Sequence, residues 1–110
     1  MKKDNFTIVD FNELYKEVSK INKKDMYITI CRNIKKFRLE RYNEFKKHNN
    51  LNTINPYSTQ NIAELLDYNH NHYKRFESET DSVKMIPLDK IFKLSIILDK
   101  DIAEFFKKDN

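Results

Sequence analysis

Ser58-Thr59-Gln60-Asn61-Ile62-Ala63-Glu64-Leu65-Leu66-Asp67-Tyr68-Asn69-His70-Asn71-His72-Tyr73-Lys74-Arg75-Phe76-Glu77 is the stretch on which the fold turns. Ser58 is a residue whose side-chain oxygen accepts from the free N–H groups at a helix start, and Ile62, Ala63, Leu65 and Leu66 follow at helical spacing. Asp67-Tyr68-Asn69 reads as a turn, with Asn69 placed to cap a second helix over about 70–77. The inward residues of that helix are Tyr73 and Phe76, which hold it against Leu65 and the core. Two short helices joined by a three- or four-residue turn form a compact unit that must be buried on one side by other helices.

The flanking sequence supplies them. Asp10 with Glu13 has the form of a capping box, and Phe11, Leu14, Tyr15, Val18 and Ile21 predict a first helix over about 11–22. Asp25 is placed to cap the next, which carries Ile30, Ile34 and Phe37 as an apolar stripe and reaches the mid-forties. His48 through Pro56 is polar and Asn-rich, and its proline disfavours helix at Asn55, so it reads as a loop. Glu79-Thr80-Asp81-Ser82 breaks the pattern, and Pro87 sits in the first turn of a helix bearing Leu88, Ile91, Phe92, Leu94, Ile96, Ile97 and Leu98. This most apolar segment is expected to be the core spine. Asp101 caps a last short helix holding Ile102, Phe105 and Phe106, and the final Lys107-Lys108-Asp109-Asn110 is expected to fray.

Composition bounds the class. At 110 residues the chain has the length of one domain. With 39% apolar and 35% charged residues it is too hydrophobic for a disordered tail and too polar for a membrane protein. No apolar run approaches the roughly 20 residues that span a bilayer, and Met1 to Asn5 is followed by no apolar signal core, so a cytoplasmic location is expected. The lone Cys31 excludes an internal disulfide and reads as a small core residue. The net charge of +4 is polarised: residues 1–57 carry 13 Lys/Arg against 7 Asp/Glu, residues 58–110 carry 8 against 10, so the halves stand at +6 and −2. Seven basic residues lie between Arg32 and Lys47 against Glu40 and Glu44, a surface suited to phosphate or to solvent alone.

Ile30-Cys31-Arg32-Asn33-Ile34-Lys35-Lys36-Phe37-Arg38, then Tyr57 to Leu66, then Asn69 to Glu77, then Leu88 to Phe106, together resemble the phage-repressor, Cro-like or xenobiotic-response-element family of helix-turn-helix domains. The resemblance implies an all-α, lambda-repressor-like five-helix DNA-binding domain with an additional N-terminal helix. In that reading residues 1–110 are a single domain: 1–29 an extension with one helix, 30–106 the helix-turn-helix domain, with an insertion near 43–57 of roughly fourteen residues relative to the family. The sequence departs from the pattern at Asp67 and Asp99, where the family has glycine; both positions are expected to need positive φ. It also departs at Thr59, where a glutamine is usual, Gln60 standing one place late.

The implied function is a sequence-specific transcriptional regulator, a repressor of a mobile element, that occupies an operator in double-stranded DNA; no enzyme, metal or cofactor is expected. With Tyr73 and Phe76 inside, His70, Asn71, Lys74 and Arg75 point outward, and Asn71 and Arg75 carry the paired groups that match adenine and guanine edges in the major groove. Phosphate contacts are expected from Ser58, Thr59, Gln60, His72 and Lys35. The resemblance implies a buried ion pair between Arg38 and Glu77, the alternative for Arg38 being a DNA contact. His70-x-His72 does not make a metal site, because residues two apart on a helix do not face each other. Two-fold operators imply a homodimer; the first helix is either its surface or a cap on its own core. The alternative function is a helix-turn-helix protein-interaction module, an antitoxin or phage-encoded inhibitor, that docks on a protein partner and does not read DNA.

Overall fold

Among the described residues, every helix start but the one that follows Pro87 is capped by an Asp, Asn or Ser side chain. The computed structural model describes residues 10–50, 52–79 and 85–108, and in them five α-helices and one 3₁₀ helix form, with no strand among the described residues. They are α1 (Phe11–Ser19), α2 (Lys23–His48), α3 (Thr59–Leu65), α4 (His70–Glu77), α5 (Leu88–Ile97) and the 3₁₀ helix Ile102–Phe106. Asp10 accepts from Asn12 N at 3.1 Å, Ser58 from Asn61 N at 3.1 Å, Asn69 from Asn71 N at 2.8 Å and Asp101 from Ala103 N at 3.0 Å. Each satisfies a donor that the helix itself leaves without a partner.

The ends of α3 and α5 are built alike. Asp67 and Asp99 adopt φ of 57° and 52°, the left-handed region that glycine normally occupies. Around them Tyr68 N donates to Ala63 O at 2.8 Å and Asp67 N to Glu64 O at 3.0 Å; Lys100 N donates to Ser95 O at 2.9 Å and Asp99 N to Ile96 O at 3.3 Å. These paired bonds close the last helical turn and aim the chain into the next element.

α2 runs 26 residues, about 39 Å at 1.5 Å per residue, and backs the rest of the fold. Its Ile30, Cys31, Ile34 and Phe37 meet Ile62, Ala63 and Leu66 of the α3 segment, Tyr73 and Phe76 of α4, Ile86, Ile91, Leu94 and Leu98 of the α5 segment, and Phe105 in one core. Phe37 and Phe105 pack edge to face with ring centres 5.3 Å apart.

Several expectations are corrected. α2 is capped by Asn22, whose side chain accepts from Asp25 N at 3.0 Å, so Asp25 lies inside the helix it was expected to start. α1 ends at Ser19 and buries none of its residues. α2 continues through His48, slightly past the mid-forties where its end was expected, and the loop follows it. Leu65 is exposed, as are Leu88, Phe92 and Ile96, because a single α-helix in this fold turns only one stripe inward; Ile91, Leu94 and Leu98 take that place on α5. Phe106 is likewise partly exposed. The expected break at Thr80-Asp81-Ser82 and the terminal Asp109-Asn110 lie outside the described residues. No helix of the described residues is long and apolar enough to cross a membrane.

The loop after α2 is tied down by asparagines. Asn55 Nδ2 donates to Tyr42 O at 3.2 Å, its Oδ1 accepts from Tyr57 N at 2.9 Å, and Asn61 Nδ2 donates to Asn55 O at 2.8 Å. Phe45 and Tyr57 meet edge to face across it. The loop thus delivers the chain to Ser58 in a fixed direction.

Candidate nucleic-acid interface

The turn 66–69 sets α4 beside α3, and the sidedness of α4 decides which of its residues a ligand can meet. Tyr73 is fully buried, Phe76 and Glu77 nearly so. Asn71, Lys74 and Arg75 are exposed, and their i, i+3, i+4 spacing puts them on one face. Among the described residues, neither the loop after α2 nor a neighbouring helix buries this polar side of α4.

His70 differs from that group. It is half-buried, and its Nε2 shares a 2.8 Å hydrogen bond with Thr59 Oγ1, so a residue expected at a base edge and one expected at a phosphate are brought onto each other. This bond joins the first turn of α4 to the first turn of α3. His72 is exposed but stacks on Tyr68 and Phe76, ring centres 4.7 and 5.3 Å away. Ser58 is half-buried and its hydroxyl is used by the α3 cap, leaving Gln60, which is exposed, as the outward side chain of the α3 start. Lys35 is half-buried on α2, on a different element from the others.

Arg38 and Glu77 meet beneath α4. Arg38 Nε donates to Glu77 Oε2 at 2.7 Å and Nη2 to Oε1 at 2.9 Å, a two-bond fork, while Nη1 donates to Tyr57 O at 3.0 Å. The Tyr73 hydroxyl donates to Glu77 Oε2. All three side chains are buried. Burial works against the Arg38 charge, but the hydrogen bonds and negative charge of Glu77 outweigh it and raise the Arg38 pKa. Burial first, then the adjacent Glu77 carboxylate, holds the Tyr73 hydroxyl well above the ordinary tyrosine range. This network fixes α4 to α2 and to the end of the loop at Tyr57, so the orientation of the Asn71, Lys74, Arg75 face is set from below.

Three polar residues with positioning roles carried no distinct signal in the sequence. Asn33 is buried in α2, and its Nδ2 donates to Phe105 O and Lys107 O, both at 2.8 Å, anchoring the 3₁₀ helix. Arg41 Nε donates to Leu98 O at 3.1 Å, and Lys90 Nζ donates to Leu66 O at 2.8 Å while lying over the Tyr68 ring. Only the helical register of Asn33 between Ile30, Ile34 and Phe37 marks it as inward. Among the described residues no group of three or more His, Cys, Asp or Glu is arranged to hold a metal ion. Comparison of the chain with protein families, with curated proteins and with solved structures finds no match.

Proposed function

We propose that this chain is a sequence-specific DNA-binding regulator with a lambda-repressor-like arrangement, acting as a repressor, in which α4 enters the major groove. The observation that carries the reading is the sidedness of α4: Tyr73, Phe76 and Glu77 are inside, and Asn71, Lys74 and Arg75 share the outer face. Asn and Arg are the side chains whose paired groups match adenine and guanine edges, and a helix is the element whose width fits the groove. The start of α3, with its free backbone N–H groups and the exposed Gln60, lies next to the start of α4 through the Thr59–His70 bond and suits a phosphate. His70 serves this reading as a brace between the two helices more than as a base contact.

Selection of bound sequences from a random duplex pool tests it. A consensus should emerge; Arg75→Ala should relax preference at one base pair, worth about 1–3 kcal/mol of discrimination, while Lys35→Ala should weaken all sequences alike and flatten the salt dependence. The protein-interaction module is the second reading, and the net −2 of residues 58–110, which include α3 and α4, favours it. Absence of retention on duplex DNA at low salt would decide for that second reading.

A further inference from the structure

Two helices of this chain present apolar stripes that nothing in the described structure covers. On α5, Leu88, Phe92 and Ile96 are 69%, 57% and 67% exposed and stand one above the other at i, i+4, i+8. On α1, Phe11, Tyr15 and Val18 are 75%, 66% and 64% exposed and form an i, i+4, i+7 stripe, flanked by Leu14 and, in the link beyond the helix, by Ile21. At 1.5 Å per residue both stripes are about 10–12 Å long. α1 is held clear of its own core by a short link, in which Lys20 N donates to Glu17 O, Ile21 N to Val18 O, and Asn22 is committed to capping α2.

We propose that α1 of one copy lies on the α5 stripe of a second copy, and that the second copy's α1 returns the contact, giving a two-fold dimer. The pairing stands apart from the nucleic-acid reading and holds whichever partner α4 takes. Both faces are on every chain, so one two-fold axis covers all four stripes and leaves none to propagate. Taking roughly 150–250 Å² for a whole aromatic side chain and roughly 100 Å² for a large aliphatic one, the exposed parts of these eight side chains come to about 600–800 Å² per chain. Complete burial of both stripes would thus approach the roughly 800 Å² each partner gives to a stable interface. Either stripe alone falls far short of that area; the two together come close to it.

Light scattering over a dilution series should give twice the 13.4 kDa chain mass at the concentrated end. Val18→Asp and Phe92→Lys should each weaken association at least tenfold without loss of helical circular dichroism, since both residues are exposed. Mixing Tyr15→Cys chains with Phe92→Cys chains carrying a longer tag should yield an oxidised product of mixed mass, the native Cys31 being buried. A monomer at every concentration would overturn the proposal, as would a dimer that either charge substitution leaves intact. Disulfides forming between two Tyr15→Cys chains in preference to the mixed product would overturn it too.

Discussion

Arg38→Met removes the cation from a site where Glu77 has nowhere else to turn. The guanidinium supplies two donors to the Glu77 carboxylate and one to Tyr57 O, and the side chains of Arg38 and Glu77 are only 8% and 7% exposed. Methionine fills most of the volume, so the cost is chiefly electrostatic: a buried carboxylate left with Tyr73 as its remaining side-chain partner. Breaking a buried pair from one side costs about 3–5 kcal/mol, which for a domain of this size lowers Tm by at least about 12 °C. Urea titration followed by far-ultraviolet circular dichroism measures it. The triple change Arg38→Met, Glu77→Leu and Tyr73→Phe, which removes every polar side chain of the site, should recover most of that loss because no charge is then stranded. If Arg38→Met costs less than about 1 kcal/mol, or if the triple variant is less stable than Arg38→Met alone, the view of Glu77 as a buried charge held by Arg38 is refuted.

Burial and Glu77 hold the folded Tyr73 pKa above its unfolded value, so the stability it contributes is complete below about pH 10 and is lost as pH rises past it. Wild-type stability should therefore fall about 1.4 kcal/mol per pH unit more steeply than Tyr73→Phe above pH 10, and parallel urea midpoints from pH 9 to 11 would contradict this. Asp67→Gly relieves a non-glycine φ of 57° and should stabilise by about 0.5–1 kcal/mol after glycine's own entropic cost. Asp99→Gly should gain less, since it gives up the exposed Arg41–Asp99 pair at 3.2 Å; equal gains in thermal melts would argue against a role for that pair. Asn33→Ala strands the carbonyls of Phe105 and Lys107 and should cost about 1–3 kcal/mol. Hydrogen exchange should then speed up in Ile102–Phe106 before α3, and uniform acceleration would mean Asn33 does not act locally.

Element identity was legible in this sequence because the caps are chemical and local. Ser58, Asn69 and Asp101 accept the very N–H groups that a cap must satisfy, each just ahead of an apolar-periodic run. The start of α2 was misread because Asn22 and Asp25 are both cap formers three positions apart; Asn22 took the cap and Asp25 became its third helical residue. The sidedness of α4 was legible because only Tyr73 and Phe76 among its eight residues are apolar. α5 offered no such contrast: its ten residues include six large apolar ones, and which stripe is buried depends on where the helix sits. The Thr59–His70 bond was invisible for the same reason, since it depends on how two helices are placed across a turn.

Glycine's absence connects these local facts to the charge pattern. A left-handed C′ residue other than glycine weakens a helix end, and in this chain both such ends receive a cation from a distant element: Lys90 on Leu66 O beside Asp67, and Arg41 on Leu98 O beside Asp99. The cation satisfies a terminal carbonyl and lies along the favourable end of the helix dipole, offsetting part of the backbone strain. The same economy draws charge out of the basic run between Arg32 and Lys47. Arg38 is spent on Glu77, Arg41 on Leu98 and Asp99, and Lys47 lies 3.7 Å from Glu44. A count of seven basic residues thus overstates the field available to a phosphate backbone. For the proposed DNA complex the salt dependence should reflect few phosphate contacts, a slope in log K against log salt of about −0.9 per contact, set by α3, α4 and the remaining lysines. A slope that demands all seven would place DNA against the face of α2 where Arg38 and Arg41 are already engaged, and would require the core network to open.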